Sequence, residues 1–271
     1  MGLIDANGTK LYYERRGHGP PLVLVSGATG DAGHWTDVAG ALSSERTVVT
    51  YDRRGNSRSP RPAGWTATTI DEQADDAAAL IKGLDLDQPI VLGTSAAVGI
   101  VANLALRHPV MVRAVVFHEP LFPSGVTDID AVRARRRAVI EEGLARGGPR
   151  GAVEAFLRSV AGDKVYDTLG PALRDRLLAN ADVLMRVEMA PFVAYEPAPD
   201  EWAGLRPGRA VAAGADGRRP DAPGHWRRES ARALAERLAT DLVELPGGHM
   251  GYLDDPQAFA EGLRPVLRVL A

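Results

Sequence analysis

A mostly parallel α/β sheet flanked by helices and carrying a helical cap insertion is the fold class the sequence predicts, on three observations. Short, continuous apolar runs recur along the chain, each closed by a glycine, serine or aspartate. Such runs mark strands buried on both faces of a parallel sheet, where alternation with polar residues is not needed. Helical patterns fill the gaps between the runs, and from 121 to 206 helical patterns stand alone. A length of 271 residues suits one large domain with an insertion better than two independent cores.

The chain opens on a β-hairpin, with Asn7-Gly8 as the turn dipeptide between Leu3-Ile4 and Leu11-Tyr12-Tyr13, so the sheet begins antiparallel. Buried strands follow at Leu22 to Val25, Val48 to Tyr51 and Ile90 to Leu92. His34 to Leu42 and Ile70 to Leu84 read as helices. The second is opened by Thr68-Thr69 and carries Asp71 and Glu72 in its first turn, where the helix dipole favours negative charge. A helix from about Ala96 to Arg107 stops before Pro109, and Ala114 to Phe117 is the next strand. Three helices then follow without a strand: Ile129 to Ala145, Pro149 to Val160 and Pro171 to Met189. The alternation resumes with the strand Ala210 to Ala213, a helix from His225 to Leu238, the strand Asp241 to Leu245 and a last helix from Pro256 to Leu270. The predicted core domain is therefore 1–120 with 207–271, and the predicted helical cap is 121–206.

Composition narrows the function classes. With 45% hydrophobic and 25% charged residues the chain has ordinary globular material for a core. A net charge of −3 supplies no positive field for a phosphate backbone and no polybasic membrane patch, so nucleic acid and membrane are not expected partners. Cysteine is absent, which excludes disulfides and thiolate metal sites. The first residues lack the basic flank and apolar run of a signal peptide, and no segment approaches the ~20 apolar residues of a membrane span, so a cytoplasmic location is the default.

In a parallel sheet, reactive side chains collect at the carboxyl ends of strands. The strand Ile90 to Leu92 runs into Gly93-Thr94-Ser95-Ala96-Ala97 and then a helix. A serine at such a strand-to-helix turn holds its hydroxyl above the sheet, and small neighbours two residues away on either side let strand and helix close up. Ser95 is the candidate nucleophile. Of six histidines, His249 stands apart, because it sits in Pro246-Gly247-Gly248-His249-Met250-Gly251-Tyr252 immediately after the last predicted strand. There it can face the same crevice as Ser95 and act as base. His18, His34, His108 and His225 lie in a loop or at helix ends and read as ordinary structural residues.

With these segments in hand the chain resembles the α/β-hydrolase superfamily, over essentially its whole length, with the order Ser, acid, His. Leu24-Val25-Ser26-Gly27-Ala28-Thr29-Gly30 is similar to the oxyanion loop after the third strand, although the usual His-Gly start is Ser26-Gly27 here. Tyr51-Asp52-Arg53-Arg54-Gly55-Asn56-Ser57-Arg58-Ser59 resembles the Asp-x-Arg-Gly segment after the fourth, and His108-Pro109 follows the nucleophile helix. The resemblance implies an oxyanion hole from the N–H groups of Ala28 and Ala96, with Thr29 as an alternative donor. For the acid it favours Asp216, in Gly214-Ala215-Asp216-Gly217 after the strand Ala210 to Ala213. A common family spacing would put the acid one residue later, at Gly217. The competitor is Glu119, in Val116-Phe117-His118-Glu119-Pro120, because some branches carry the acid after the strand that follows the nucleophile. Asp52, Arg53 and Arg54 read as braces for loops.

A serine at the elbow excludes the aspartyl chemistry of dehalogenases and epoxide hydrolases and leaves acyl chemistry: an ester, lactone or thioester cleaved through an acyl-enzyme, with no cofactor or metal required. The same residues suit a cofactor-free perhydrolase or haloperoxidase-like reaction and a C–C bond hydrolase, and the fold also hosts non-catalytic ligand-binding proteins. The expected partner is a small acyl substrate, and a homodimer is left open. The basic run Arg133, Arg135, Arg136 and Arg137 reads as a solvated helix face. With no charged feature assigned to the cap, a small or medium apolar acyl group is the preferred substrate.

Overall fold

The computed structural model describes residues 1–219 and 224–271. Its first element is the hairpin of β1 (Gly2–Ala6) and β2 (Thr9–Arg16), closed by Asn7 and Gly8, which both adopt the positive φ that a two-residue turn of this hand requires. The remaining strands are β3 (Pro21–Val25), β4 (Thr47–Tyr51), β5 (Ile90–Thr94), β6 (Ala114–His118), β7 (Gly208–Gly214) and β8 (Leu242–Leu245). They form one eight-stranded sheet in the order β1-β2-β4-β3-β5-β6-β7-β8, antiparallel through β1, β2 and β4 and parallel from there on.

Every residue of β4, β5 and β6 is buried, as their uninterrupted apolar character requires. Alternate residues feed two separate cores. Val23, Val49, Val91, Val115 and Val211 face one side, where they meet α2 (Ile70–Gly83), α3 (Ala97–Arg107) and α10 (His225–Arg237). Leu22, Leu24, Leu92, Val116 and Ala212 face the other, against α1 (Thr36–Leu42) and α12 (Pro256–Val269). Each fully buried Val or Leu stabilises the fold by about 1.5–3 kcal/mol. A one-residue slip would exchange the two sets, so this alternation pins the register. At the start of α2, Thr69 accepts from the Glu72 N–H at 3.0 Å, the side-chain cap its sequence announces.

Between β6 and β7 the chain makes only helices: α4 (Ile129–Ala161), α5 (Asp163–Thr168), α6 (Pro171–Ala179), α7 (Ala181–Val183), α8 (Met189–Ala194) and α9 (Pro199–Ala203), with α11 (Gly251–Asp254) following β8. The torsions of Gly147 and Gly148 are non-helical and break α4 into two legs, 129–146 and 149–161, the second opened by Pro149. Val153, Leu157, Tyr166, Leu177 and Leu184 form a third apolar cluster within this insertion.

One expectation fails here. Pro171 to Met189 reads in sequence as a single helix, but the structure interrupts it at Asn180 and again in a π-helical turn, Leu184–Glu188, where the Met189 N–H reaches back five residues to the Leu184 carbonyl. Both breaks accompany polar contacts to the loops that follow β3 and β4. Asn180 donates to the Thr29 carbonyl at 2.7 Å and accepts from the Ser57 N–H at 2.7 Å. The π turn ends on Glu188, fully buried, whose carboxylate grips the guanidinium of the equally buried Arg53, with one contact at 3.0 Å and a second shorter one. π turns of this kind cluster where a side chain must be re-aimed. Arg176 on α6 pairs with Asp31 at 2.7 Å, a third tie between insertion and sheet. No helix among the described residues is long and apolar enough to cross a membrane.

Removing one member of a fully buried ion pair strands the other charge. Glu188→Ala is therefore expected to lower the unfolding free energy by about 3–5 kcal/mol, read as a fall in the urea midpoint at unchanged slope. The double replacement Arg53→Met with Glu188→Met is expected to recover only part of that loss, because it removes the stranded charge but leaves the Ser26 and Gly27 carbonyls and the Asn56 amide without these partners.

Candidate active site

Ser95 follows β5 directly and has φ +57, a left-handed conformation that costs energy for any residue with a Cβ and that persists where surrounding structure enforces it. Its N–H continues the sheet ladder to the His118 carbonyl at 2.9 Å, while its own carbonyl accepts from Val98 at 3.0 Å in the first turn of α3. The turn closes tightly. A Cβ at Gly93 would lie 2.6 Å from the Ala97 carbonyl oxygen, and one at Gly27 would lie 3.0 Å from the Ser95 Cβ, so strand, helix and the loop after β3 converge on the serine only because both positions lack side chains. Ala97, the small neighbour two residues after Ser95, is fully buried and fits.

His249 lies in the glycine-rich turn between β8 and α11 and lines the same cavity as Ser95. Its Nδ1 is 2.7 Å from Glu119 Oε2. Glu119 directly follows β6 with φ +50, and its other carboxylate oxygen accepts from the Gly214 N–H at 2.8 Å. A carboxylate on Nδ1 makes that nitrogen the protonated one and leaves the Nε2 lone pair toward the cavity. Asp216, the acid that the sequence favours, is not at the imidazole. It sits exposed in a 3₁₀ turn after β7, tied through its backbone N–H to the Gly247 carbonyl at 3.1 Å. The Gly214 N–H at the end of β7 is given to Glu119, and no hydrogen bond joins the Asp216 carboxylate to the imidazole among the described residues. His118 is fully buried beneath the site, bonded through Nδ1 to the Thr94 hydroxyl at 2.8 Å, and burial holds its pKa down to about 4, so it is neutral.

Electrostatically the pair is asymmetric. Burial alone would raise the Glu119 carboxyl, but the hydrogen bond with His249 and the nearby positive charge of Arg227 help hold it down, to about 2. Burial and the Arg227 guanidinium lower the pKa of His249, against the opposing pull of the Glu119 carboxylate. The site therefore holds an ionised carboxylate beside an imidazole biased toward its neutral form.

Among the described residues, the N–H groups of Ala28 and Ala96 donate to no protein group, and both residues line the cavity beside Ser95. The loop bearing Ala28 is braced from below. Arg53 Nε and Nη2 donate to the Ser26 and Gly27 carbonyls at 3.0 and 2.8 Å, and the Ser26 hydroxyl donates to the Asp31 carbonyl at 2.7 Å. Asp52 takes the structural part its position suggests, accepting from Ala32 N–H at 2.7 Å and Arg58 N–H at 2.9 Å. Arg54 is likewise a brace, paired with buried Asp76.

The structure sorts the bulky residues of the insertion. Phe156, Met189 and Phe192 line the cavity, whereas Tyr166 packs in the insertion's own cluster, with Met185 against it. Tyr195 packs on α3, its hydroxyl accepting from Asn103 at 3.0 Å. The basic run on α4 departs from its sequence reading as a solvated face: Arg136 is half-buried and lines the cavity together with Arg133. Trp226 and Arg227, in the first turn of α10, line it too and carried no recognisable motif in the sequence. No group of three or more potential metal ligands occurs among the described residues.

Residues 22–262 match the model of the alpha/beta hydrolase family. A Bacillus subtilis (strain 168) protein named uncharacterized hydrolase YraK is 30% identical over 272 aligned positions, covering 98% of this chain and 95% of that protein. Among solved structures, a thermophilic esterase from Thermogutta terrifontis superposes with a TM-score of 0.79 at 21% identity, covering 100% of this chain and 99% of that one. An enol-lactonase from Burkholderia xenovorans LB400 superposes with a TM-score of 0.68 at 21% identity, covering 98% and 100%. The elbow at Ser95, the parallel sheet beneath it and a match across nearly the whole chain together make this protein a member of the alpha/beta hydrolase family.

Proposed function

We propose that the chain is a serine hydrolase that cleaves a carboxylic ester or a related acyl compound, such as a lactone or thioester, through a Ser95–His249–Glu119 triad. The observation that carries the reading is the 2.7 Å contact between His249 Nδ1 and Glu119, made by an imidazole that shares a cavity with a serine held at φ +57. Glu119 fixes the tautomer and stabilises the imidazolium, and His249 Nε2 takes the Ser95 proton as Oγ attacks the acyl carbonyl. The carbonyl oxygen becomes an oxyanion, for which the unengaged Ala28 and Ala96 N–H groups are the donors, each worth about 10²–10³ in rate. Collapse expels the leaving group, protonated by His249, and leaves an acyl-Ser95. The same base then activates water and the acid is released. The helical insertion acts as a cap: Phe156, Met189 and Phe192 wall the cavity, exclude water and contact the acyl chain.

Three outcomes test this reading. Ser95→Ala and His249→Ala are expected to lower kcat on a responsive ester by about 10⁶-fold with unchanged circular dichroism. Glu119→Gln is expected to lose about 10⁴-fold in kcat. Asp216→Asn, an exposed change at a side chain that makes no hydrogen bond to the imidazole, is expected to stay within about twofold of wild type. A large loss in Asp216→Asn with a small one in Glu119→Gln would overturn the assignment of the acid. In pH profiles, kcat/KM falls as His249 gains a proton, so with its pKa lowered the acid limb is expected below 6.5. Glu119 at about 2 stays ionised throughout that range and adds no second limb near neutrality.

A further inference from the structure

The cavity that holds Ser95 and His249 is lined by three arginines, Arg133, Arg136 and Arg227, and among the described residues by no aspartate or glutamate. Arg227 is 7% exposed, and among the described residues it makes no ion pair and its Nε has no hydrogen-bond partner. It sits in the first turn of α10, the end of a helix that disfavours a cation. Its guanidinium lies 4.8 Å from the centre of the Trp226 ring, and that of Arg136, across the cavity mouth on the outer leg of α4, lies 5.5 Å from the centre of the same ring. Arg136 likewise has no carboxylate partner among the described residues, whereas Arg133 spends its charge on Asp130 and Arg158 on Asp163. Burial lowers the pKa of both Arg227, to about 10, and Arg136.

Two desolvated, mutually repelling guanidiniums share one indole, whose face offsets only part of the cost of a buried charge without a counter-ion. The nearby carboxylate, Glu119, is already committed on both oxygens, to His249 and to the Gly214 N–H. Asp216, which shares the wider opening with Arg227, makes no ion pair with it. Among the described residues no carboxylate is left to pair with either guanidinium. A site that keeps such a cost next to its reacting groups is a site for a ligand.

We propose that Arg227 and Arg136 form a carboxylate-binding subsite, and that the substrate is an ester or lactone bearing a second, free carboxylate besides the acyl group that Ser95 attacks. The inference rests on the serine-hydrolase reading above and replaces the apolar acyl preference drawn from sequence. A carboxylate suits the subsite better than a phosphate does. Two planar guanidiniums satisfy its two oxygens, the third arginine of the lining, Arg133, is already paired with Asp130, and Phe156, Met189 and Phe192 add no donors.

The test pairs esters that differ only in a terminal carboxylate for methyl: monoethyl succinate, glutarate and adipate against ethyl butanoate, pentanoate and hexanoate. At one chain length or more, wild type is expected to prefer the half-ester by about 10- to 100-fold in kcat/KM, the range of a charge-assisted hydrogen bond. That preference ratio is expected to collapse toward unity in Arg227→Gln and Arg136→Gln. Because Arg227 is buried and its variant risks misfolding, Arg136→Gln on the exposed leg carries the test independently. A second arm uses Ser95→Ala, in which binding is measured calorimetrically without turnover. Monoethyl glutarate or a homologue is expected to bind, to weaken with added salt, and to lose affinity when either arginine is also replaced. Equal or better use of the neutral esters, together with no half-ester binding to Ser95→Ala, overturns the subsite and leaves the hydrolase reading standing. Half-ester binding without hydrolysis of any acyl compound has the opposite effect. Inorganic phosphate binding more tightly than the half-esters overturns the choice of carboxylate.

Discussion

The architecture of the site depends on one buried ion pair. Arg53 leaves the end of β4 and spends its guanidinium in three directions: on the Ser26 and Gly27 carbonyls, on the Gln73 side chain, and on Glu188. Glu188 accepts further from Asn56 at 3.0 Å and Gln73 at 3.3 Å. Taking both charges out of water costs several kcal/mol per ion, and only this full set of partners makes the arrangement tolerable. In return the loop after β3, the turn after β4 and the helical insertion share one fixed point. Phe192, a cavity wall, rests its ring 4.9 Å from the same guanidinium, so the roof of the site and its floor are positioned by a single side chain. This brace does the orienting where Ser26-Gly27 stands in place of the more usual His-Gly.

The scaffold was largely legible because its signals are local. Uninterrupted apolar runs, the Asn7-Gly8 turn, the Thr69 cap and the glycines around Ser95 each act within a few residues, and the elements they announce occur within one or two residues of the expected ends. What the sequence left open or misread depends on distance. Asp216 and Glu119 both follow adjacent parallel strands at their carboxyl ends, and nothing in either segment tells which carboxylate bonds the imidazole. That is decided by the Gly214 N–H, which closes on Glu119. The interrupted helix after Pro171 was unreadable for the same reason, since its breaks answer to Thr29, Ser57 and Arg53, more than a hundred residues away in sequence. Arg136 looks like any arginine in a basic run until Trp226 is brought beneath it.

Arg227 links the two halves of the site. It lies close enough to Glu119 and His249 to bias both, stabilising the carboxylate and opposing the imidazolium. An anion seated on it would cancel part of that positive potential at the moment substrate is in place, and the imidazole would become a stronger base with substrate bound than without it. Recognition and proton transfer are thereby coupled through Coulomb interaction alone, with no change of shape.

The outer leg of α4 makes a different kind of contribution. Over 129–146 Gly143 alone is buried, and the break at Gly147 and Gly148 joins the leg to the rest of the insertion without drawing it into an apolar cluster. Chain with so little interior can change its side chains at small thermodynamic risk, yet it carries Arg136 over the opening. Selectivity can thus drift by substitution along this arm while the elbow, the sheet and the buried brace are left untouched, which gives evolution, or an engineer, a dial separate from the machinery of folding.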